Sequence, residues 1–179
     1  MIEIRVHGRG GQGAVTSTEL IALAAINEGK YAQAFPSFGP ERRGAPVISF
    51  ARISDKPIRT REKVYTPDIV MVLDPTILKI VDVTAGLKKD GIVILNTAKD
   101  EKEVRKAFGI KAKMALVDAT EIAMKYLGRP ITNTTMLGAL IKASGVIDIK
   151  SMKAPVEERF GRIAEKNLKA MDEAYKQSA

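Results

Sequence analysis

The residues best suited to chemistry in this chain fall into two clusters. Gly8-Arg9-Gly10-Gly11-Gln12-Gly13 follows an alternating apolar/polar run, Ile2 to His7, and precedes an Ala/Leu/Ile-rich segment from Ala14 to Glu28 that stops at Gly29. Glycines between a strand and a helix permit a tight turn and let backbone N–H groups approach a phosphate at the helix N-terminus. They also serve simply to make a close strand–helix turn. Downstream, Arg42 and Arg43 stand on a loop framed by Pro36, Gly39, Pro40, Gly44 and Pro46. Two guanidiniums there suit a phosphate, a carboxylate or an acidic partner surface; a solvated loop with Glu41 pairing one arginine is the plainer alternative.

Several chemistries are excluded or disfavoured. Dinucleotide binding calls for an acidic residue about 20 positions on, at the end of the second strand. None lies between Glu28 and Glu41, where Gln33 and Phe35 stand instead. A stand-alone NADP-binding reductase, with Arg42 and Arg43 on a 2′-phosphate, is the alternative kept open. An ATPase loop is ruled out, because Gly13 is followed by Ala14 and Val15 rather than Lys and Ser/Thr. There is no cysteine and one histidine, His7, so these residues supply neither a cysteine-ligated [4Fe–4S] cluster nor a nucleophile–base pair. Any redox metal in this protein's biology belongs on another chain. His7 ends the first apolar run, where ligands dock in such sheets, although a hydrogen bond to the adjacent loop is its plainer role.

The formal charge of +8 suggests acidic partners. Its lysines and arginines are dispersed among acids and aromatics are few, so no nucleic-acid partner is expected. No apolar stretch approaches the ~20 residues of a membrane span. The N-terminus opens directly into strand-like sequence rather than a secretory signal. A soluble, cytoplasmic protein without a membrane partner is the expectation.

The elements that position these clusters alternate. Ile69-Val70-Met71-Val72-Leu73 and Ile92-Val93-Ile94-Leu95 are continuous apolar runs, as in strands covered on both faces. Tyr31–Phe35 and Met114–Val117 read as shorter strands. Helices are expected over Thr76–Leu87, Glu101–Phe108 and Ala119–Leu127. The pattern predicts an α/β fold: a Rossmann-like, doubly wound, mostly parallel sheet with right-handed crossovers. Ala34 to Lys63 breaks the alternation, since three prolines in eleven residues, Pro36, Pro40 and Pro46, forbid a helix. It predicts a long loop followed by a β-excursion over Val47–Ile53, antiparallel to the main sheet, with a further strand starting at Ile58. The C-terminal part is helical: Met136–Ala143, capped by Thr132 or Asn133 and stopped by Gly145, then one amphipathic helix after Pro155. Residues 1–179 are expected to form one domain, with a sheet core over 1–130 and a helical part over 131–179.

Taken together, G-x-G-G-Q-G at Gly8–Gly13, the helix opening Ala14-Val15-Thr16-Ser17, and Pro36-Ser37-Phe38-Gly39-Pro40-Glu41-Arg42-Arg43-Gly44-Ala45-Pro46 resemble the gamma subunits of the 2-oxoacid:ferredoxin oxidoreductase family. The arginine pair resembles the pyruvate and 2-oxoisovalerate branch more than the indolepyruvate branch. The resemblance runs through the Asp68–Asp74 strand to Ile131-Thr132-Asn133-Thr134, essentially the whole chain. It implies a non-catalytic subunit of an enzyme that decarboxylates a 2-oxoacid oxidatively, forms an acyl-CoA and reduces ferredoxin. It further implies alpha, beta and delta sister subunits that carry thiamine diphosphate, Mg2+ and [4Fe–4S] clusters, with coenzyme A as a substrate. No cofactor is expected on this chain, which lacks a Gly-Asp-Gly diphosphate motif (Lys89-Asp90-Gly91 comes nearest). The implied cofactor- or interface-binding residues are Gly8, Arg9, Gly10, Gly11, Gln12, Gly13, Ser37, Phe38, Arg42 and Arg43.

Overall fold

The computed structural model describes residues 1–37 and 43–178. Six strands form one mixed sheet: β1 (Ile2–Arg9), β2 (Tyr31–Pro36), β3 (Pro46–Ser54), β4 (Ile69–Val72), β5 (Ile92–Asn96) and β6 (Lys113–Val117). Their spatial order is β2-β3-β1-β4-β5-β6. β1, β4, β5 and β6 run parallel, whereas β3 is antiparallel to both β1 and β2. The helices are α1 (Ala14–Asn27), α2 (Glu101–Phe108), α3 (Ala119–Leu127), α4 (Asn133–Ser144), α5 (Lys153–Phe160) and α6 (Ala164–Gln177). No described helix is long and apolar enough to cross a membrane.

The period-2 geometry of the strands divides their apolar residues between two cores. Ile4, Val6, Ile69, Met71 and Ile94 face α1, α3, α4 and α6 in the larger one. Val70, Val72, Val93 and Leu95 face Ile77, Val83, Val104 and Ile110 in the smaller one. This two-sided burial is why β4 and β5 read as unbroken hydrophobic runs. Residues of α4 and α6 belong to the same larger core as the strands. Their crossing is close: a Cβ at Gly138 of α4 would run into the Met171 carbonyl of α6.

The predicted sheet class, the Val47–Ile53 strand and its antiparallel direction are present. The placement of that strand is a finding, because β3 inserts between β1 and β2 and keeps them from pairing. Three local expectations are corrected. Thr76–Leu87 is not an α-helix but a 3-10 turn, Pro75–Lys79, followed by further turns. There the Asp82 carboxylate accepts from the Thr84 N–H and hydroxyl, and the Val83 and Ala85 carbonyls turn inward to accept from Arg5. Local side-chain bonds and a buried guanidinium thus outcompete helical bonding. Ile58 starts no strand; its carbonyl accepts from the Gln33 amide instead. The final helix is interrupted at Gly161, whose φ of 50° and ψ of −116° end α5 before α6 begins.

Candidate functional site

Topology brings the glycine turn and Arg43 to one edge. The parallel strands end at the edge where β1 reaches Arg9, and antiparallel β3 begins there, with Arg9 opposite Pro46. β2 ends at the same edge, so Ser37 leaves the sheet and Arg43 returns to it beside the glycine turn. Two backbone bonds close the junction: Gly10 N–H donates to Ala45 O at 2.8 Å, and Gly44 N–H donates to Gly10 O at 3.2 Å.

Side chains then lock the turn. The Gln12 amide accepts from Arg9 N–H at 2.7 Å and donates to the Asp74 carboxylate at 2.9 Å. Arg9 reaches the Thr76 hydroxyl at 2.8 Å, the Gly44 carbonyl at 3.0 Å and Asp74 at 3.2 Å. Burial alone would raise the Asp74 carboxyl. Hydrogen bonds from Thr76 and Gln12, with the Arg9 charge, outweigh that and hold it below the usual carboxylate range. Asp74 is therefore ionised at neutral pH and anchors both Arg9 and Gln12.

α1 starts from this turn without a side-chain cap and without an acidic residue in its first turn. Its first intrahelical bond is Ser17 N–H to Gly13 O, 2.9 Å. The N–H groups of Ala14, Val15 and Thr16 have no intrahelical acceptor. These three residues line a cleft of about 310 Å³, together with Gly11, Gly13 and Val47. The N-terminal end of a helix carries a partial positive charge, so the cleft favours an anion. Gly13 takes the left-handed φ of 81° and packs on Asn133 of α4, whose side chain would clash with any Cβ there. Asn133 is 5% exposed, and its Oδ1 has no hydrogen-bond partner among the described residues.

The ten residues singled out from sequence divide by role in this geometry. Arg9 and Gln12 are held by the protein itself and position the turn. Gly10 makes the close backbone approach, and Gly8 sits against Leu73 and Ala14. Gly11 is exposed, and Val15 and Thr16 at the start of α1 are half-buried. Arg43 is exposed, and Ser37 donates its backbone N–H to Ile48 O. Phe38 and Arg42, like Glu41, lie outside the described residues. His7 is buried, and its Nε2 accepts from Arg5 Nε at 3.1 Å. Burial, then the Arg5 charge, pushes its pKa down to about 3, so it is a neutral core group rather than an open ligand. Sequence reasoning missed Asp74, Thr76 and the packing role of Asn133. Asp74-Pro75-Thr76 was findable, because it follows an apolar strand directly and so falls on the edge where ligands gather.

The model of the family described as pyruvate ferredoxin/flavodoxin oxidoreductase matches residues 3–177. The chain belongs to that family. It is 58% identical to the pyruvate/ketoisovalerate oxidoreductases common subunit gamma of Thermococcus kodakarensis, over 98% of this chain and 96% of that one. It is 53% identical to pyruvate synthase subunit PorC of Methanothermobacter marburgensis, over 98% and 96% of the two chains. The crystal structure of the pyruvate oxidoreductase subunit PORC from Thermotoga maritima superposes with a TM-score of 0.89, at 40% identity, covering 99% of this chain and 97% of that one. Membership covers the glycine turn, the arginine loop and the C-terminal helices alike. Within the family its relatives are gamma or PorC subunits, and this chain is a subunit of that oxidoreductase class.

Proposed function

We propose that this chain is the gamma subunit of a cytoplasmic 2-oxoacid:ferredoxin oxidoreductase and works alongside alpha, beta and delta subunits. In that assembly the sister chains hold thiamine diphosphate, Mg2+ and the [4Fe–4S] clusters and pass electrons to ferredoxin. Residues 1–179 belong to one domain, a reading supported by the core that the sheet shares with α4 and α6. The cleft at the start of α1, with Gly11 and Arg43 beside it, meets coenzyme A or the partner surface along the coenzyme A path. The observation that carries this reading is the Gly10–Gly44/Ala45 bridge, which ties the chain next to Arg43 to the turn that opens the uncapped helix.

The residues present fit an anionic group such as a diphosphate: backbone N–H groups of Ala14, Val15 and Thr16, glycine at 11 and 13, and no carboxylate in the first helical turn. Asp74, the nearest acid in the network, is neutralised by Arg9. The alternative of a stand-alone NADP reductase gains no support from this arrangement. The second strand, whose end holds the ribose in dinucleotide-binding folds, is separated from β1 by β3.

Affinity capture of the tagged chain at native expression should recover thiamine- and iron-containing partners. Oxidoreductase activity from this chain alone would defeat the proposal. In the recovered complex, Arg42→Ala with Arg43→Ala should slow the coenzyme A-dependent half-reaction while the chain stays folded. Unchanged kinetics would remove the role given to the arginine loop.

A further inference from the structure

A second opening lies away from the glycine turn, where the α3–α4 connection faces the start of α6. It is a cavity of about 370 Å³ whose walls are largely apolar: Leu127, Ile131, Phe160 and Ile163. Two of these are β-branched residues left open to solvent, Ile131 at 48% and Ile163 at 52% exposed. Met124, one helical turn before Leu127, is another large apolar side chain half in solvent. An isolated exposed isoleucine means little, but two at one apolar concavity, with Met124 near by in sequence, mark an interaction site.

The backbone is shaped around this opening. The sequence pattern predicts a continuous helix after Pro155, yet Gly161 interrupts it at a φ that side chains avoid. Phe160 before the break and Ile163 after it both line the cavity, which a continuous helix would not position in the same way. Arg129 and Lys166 line it as well. Both are exposed, and neither forms an ion pair among the described residues. Asn167, the other polar residue lining the cavity, is already bonded: its Oδ1 accepts from the Thr134 hydroxyl and its amide donates to Ile163 O. An apolar hollow with two unneutralised cations at its lip, on a chain of net charge +8, is complementary to an apolar side chain flanked by carboxylates.

We infer that this cavity is a docking socket for an acidic segment of a sister subunit, which inserts an apolar side chain between Ile131 and Ile163 while its carboxylates meet Arg129 and Lys166. This rests on the reading of the chain as one subunit of a larger oxidoreductase. The test is affinity capture of full-length tagged chain co-produced with its sister subunits, comparing wild type with Ile163→Asp and Lys166→Glu. Both positions are exposed, so circular dichroism should show both variants folded. Recovery of the sister subunits should fall at least about tenfold for each, as for truncation of a central interface anchor. The deficit of Lys166→Glu should shrink at high salt, where charge repulsion is screened. Recovery equal to wild type from a folded variant would overturn the socket. Failure of wild type to capture any partner would instead overturn the subunit reading beneath it. As a second measurement, a photo-crosslinking side chain at position 163 should attach to a sister-subunit peptide containing Asp or Glu. Attachment to another copy of this chain, to a basic peptide, or to nothing in an intact complex would also overturn it.

Discussion

Replacing Gly13 by alanine tests how the glycine turn is held, and the geometry sets its cost. Gly13 has a φ of 81°, which costs an L-residue roughly 1–2 kcal/mol. The new Cβ would also stand 2.5 Å from Asn133 Nδ2 and 2.9 Å from Asn133 Cγ. Asn133 is buried at the first turn of α4, so it cannot swing into solvent, and overpacking of this kind costs roughly 1–3 kcal/mol more. Gly13→Ala should therefore destabilise by about 2–5 kcal/mol. Gly11→Ala is the matched control: its φ is 91°, but no described atom lies within 4 Å of its Cβ position. It should cost only the backbone part, roughly 1–2 kcal/mol. Guanidinium chloride titrations followed by far-UV circular dichroism would give both values by linear extrapolation. Adding Asn133→Ala to Gly13→Ala should recover about 1–3 kcal/mol as coupling, since it removes the amide that collides and an acceptor already unpaired. Equal costs for Gly11→Ala and Gly13→Ala, or no coupling with Asn133, would refute the claim that α4 props the start of α1.

Two further perturbations read other parts of the fold. Gly138→Ala would raise stability by about 1 kcal/mol in an open helix. Here the Met171 carbonyl and Tyr175 nitrogen of α6 occupy the space, so a loss of roughly 2–3 kcal/mol, and a fall in Tm of roughly 4–12 °C, is expected instead. A rise in Tm would show that α4 and α6 do not cross there. His7 supplies a pH test: its folded pKa of about 3 lies below its ordinary 6.5, so the unfolded chain takes up a proton first as pH falls. Stability should be full above that ordinary value, fall by about 2–3 kcal/mol between about pH 7 and pH 4.5, and level off below the folded value. In His7→Gln, which keeps an acceptor for Arg5, that part of the acid slope should vanish. An unchanged slope in chemical denaturation would exclude burial of a neutral imidazole.

Fold and site were legible in the sequence to different depths. Ala119–Leu127 was readable to the residue because Asp118 caps it, accepting from Glu121 N–H, and Gly128 ends it in the left-handed region. Gly145 ends α4 in the same way. Such signals are local. The 75–87 segment misled because its apolar residues fit a helical spacing, while the decisive partner, Arg5, is remote in sequence. Gly161 was visible as a residue but not as a break, since glycine interrupts a helix only where packing favours the bend. In the site, the glycine turn was readable by type and spacing. Its dependence on Asp74 and Asn133 was not, because the contacts join residues from three separate elements.

The order of strands explains why a glycine turn of dinucleotide type lacks its usual neighbour here. In a dinucleotide-binding sheet, the second strand lies directly against the first and brings an acidic side chain to the ribose. Inserting antiparallel β3 moves β2 one strand further out, about 4.8 Å in the hydrogen-bonding direction, and fills the vacated place with the Gly44–Pro46 approach to β3. That approach must enter at the strand-end edge because β3 runs backwards, and so it brings exposed Arg43 to that edge. The missing carboxylate between Glu28 and Glu41 and the exposed Arg43 both accord with this strand order. Without an acid there, ribose hydroxyls lack an acceptor, while exposed Arg43 offers donors of the kind that suit phosphates and carboxylates.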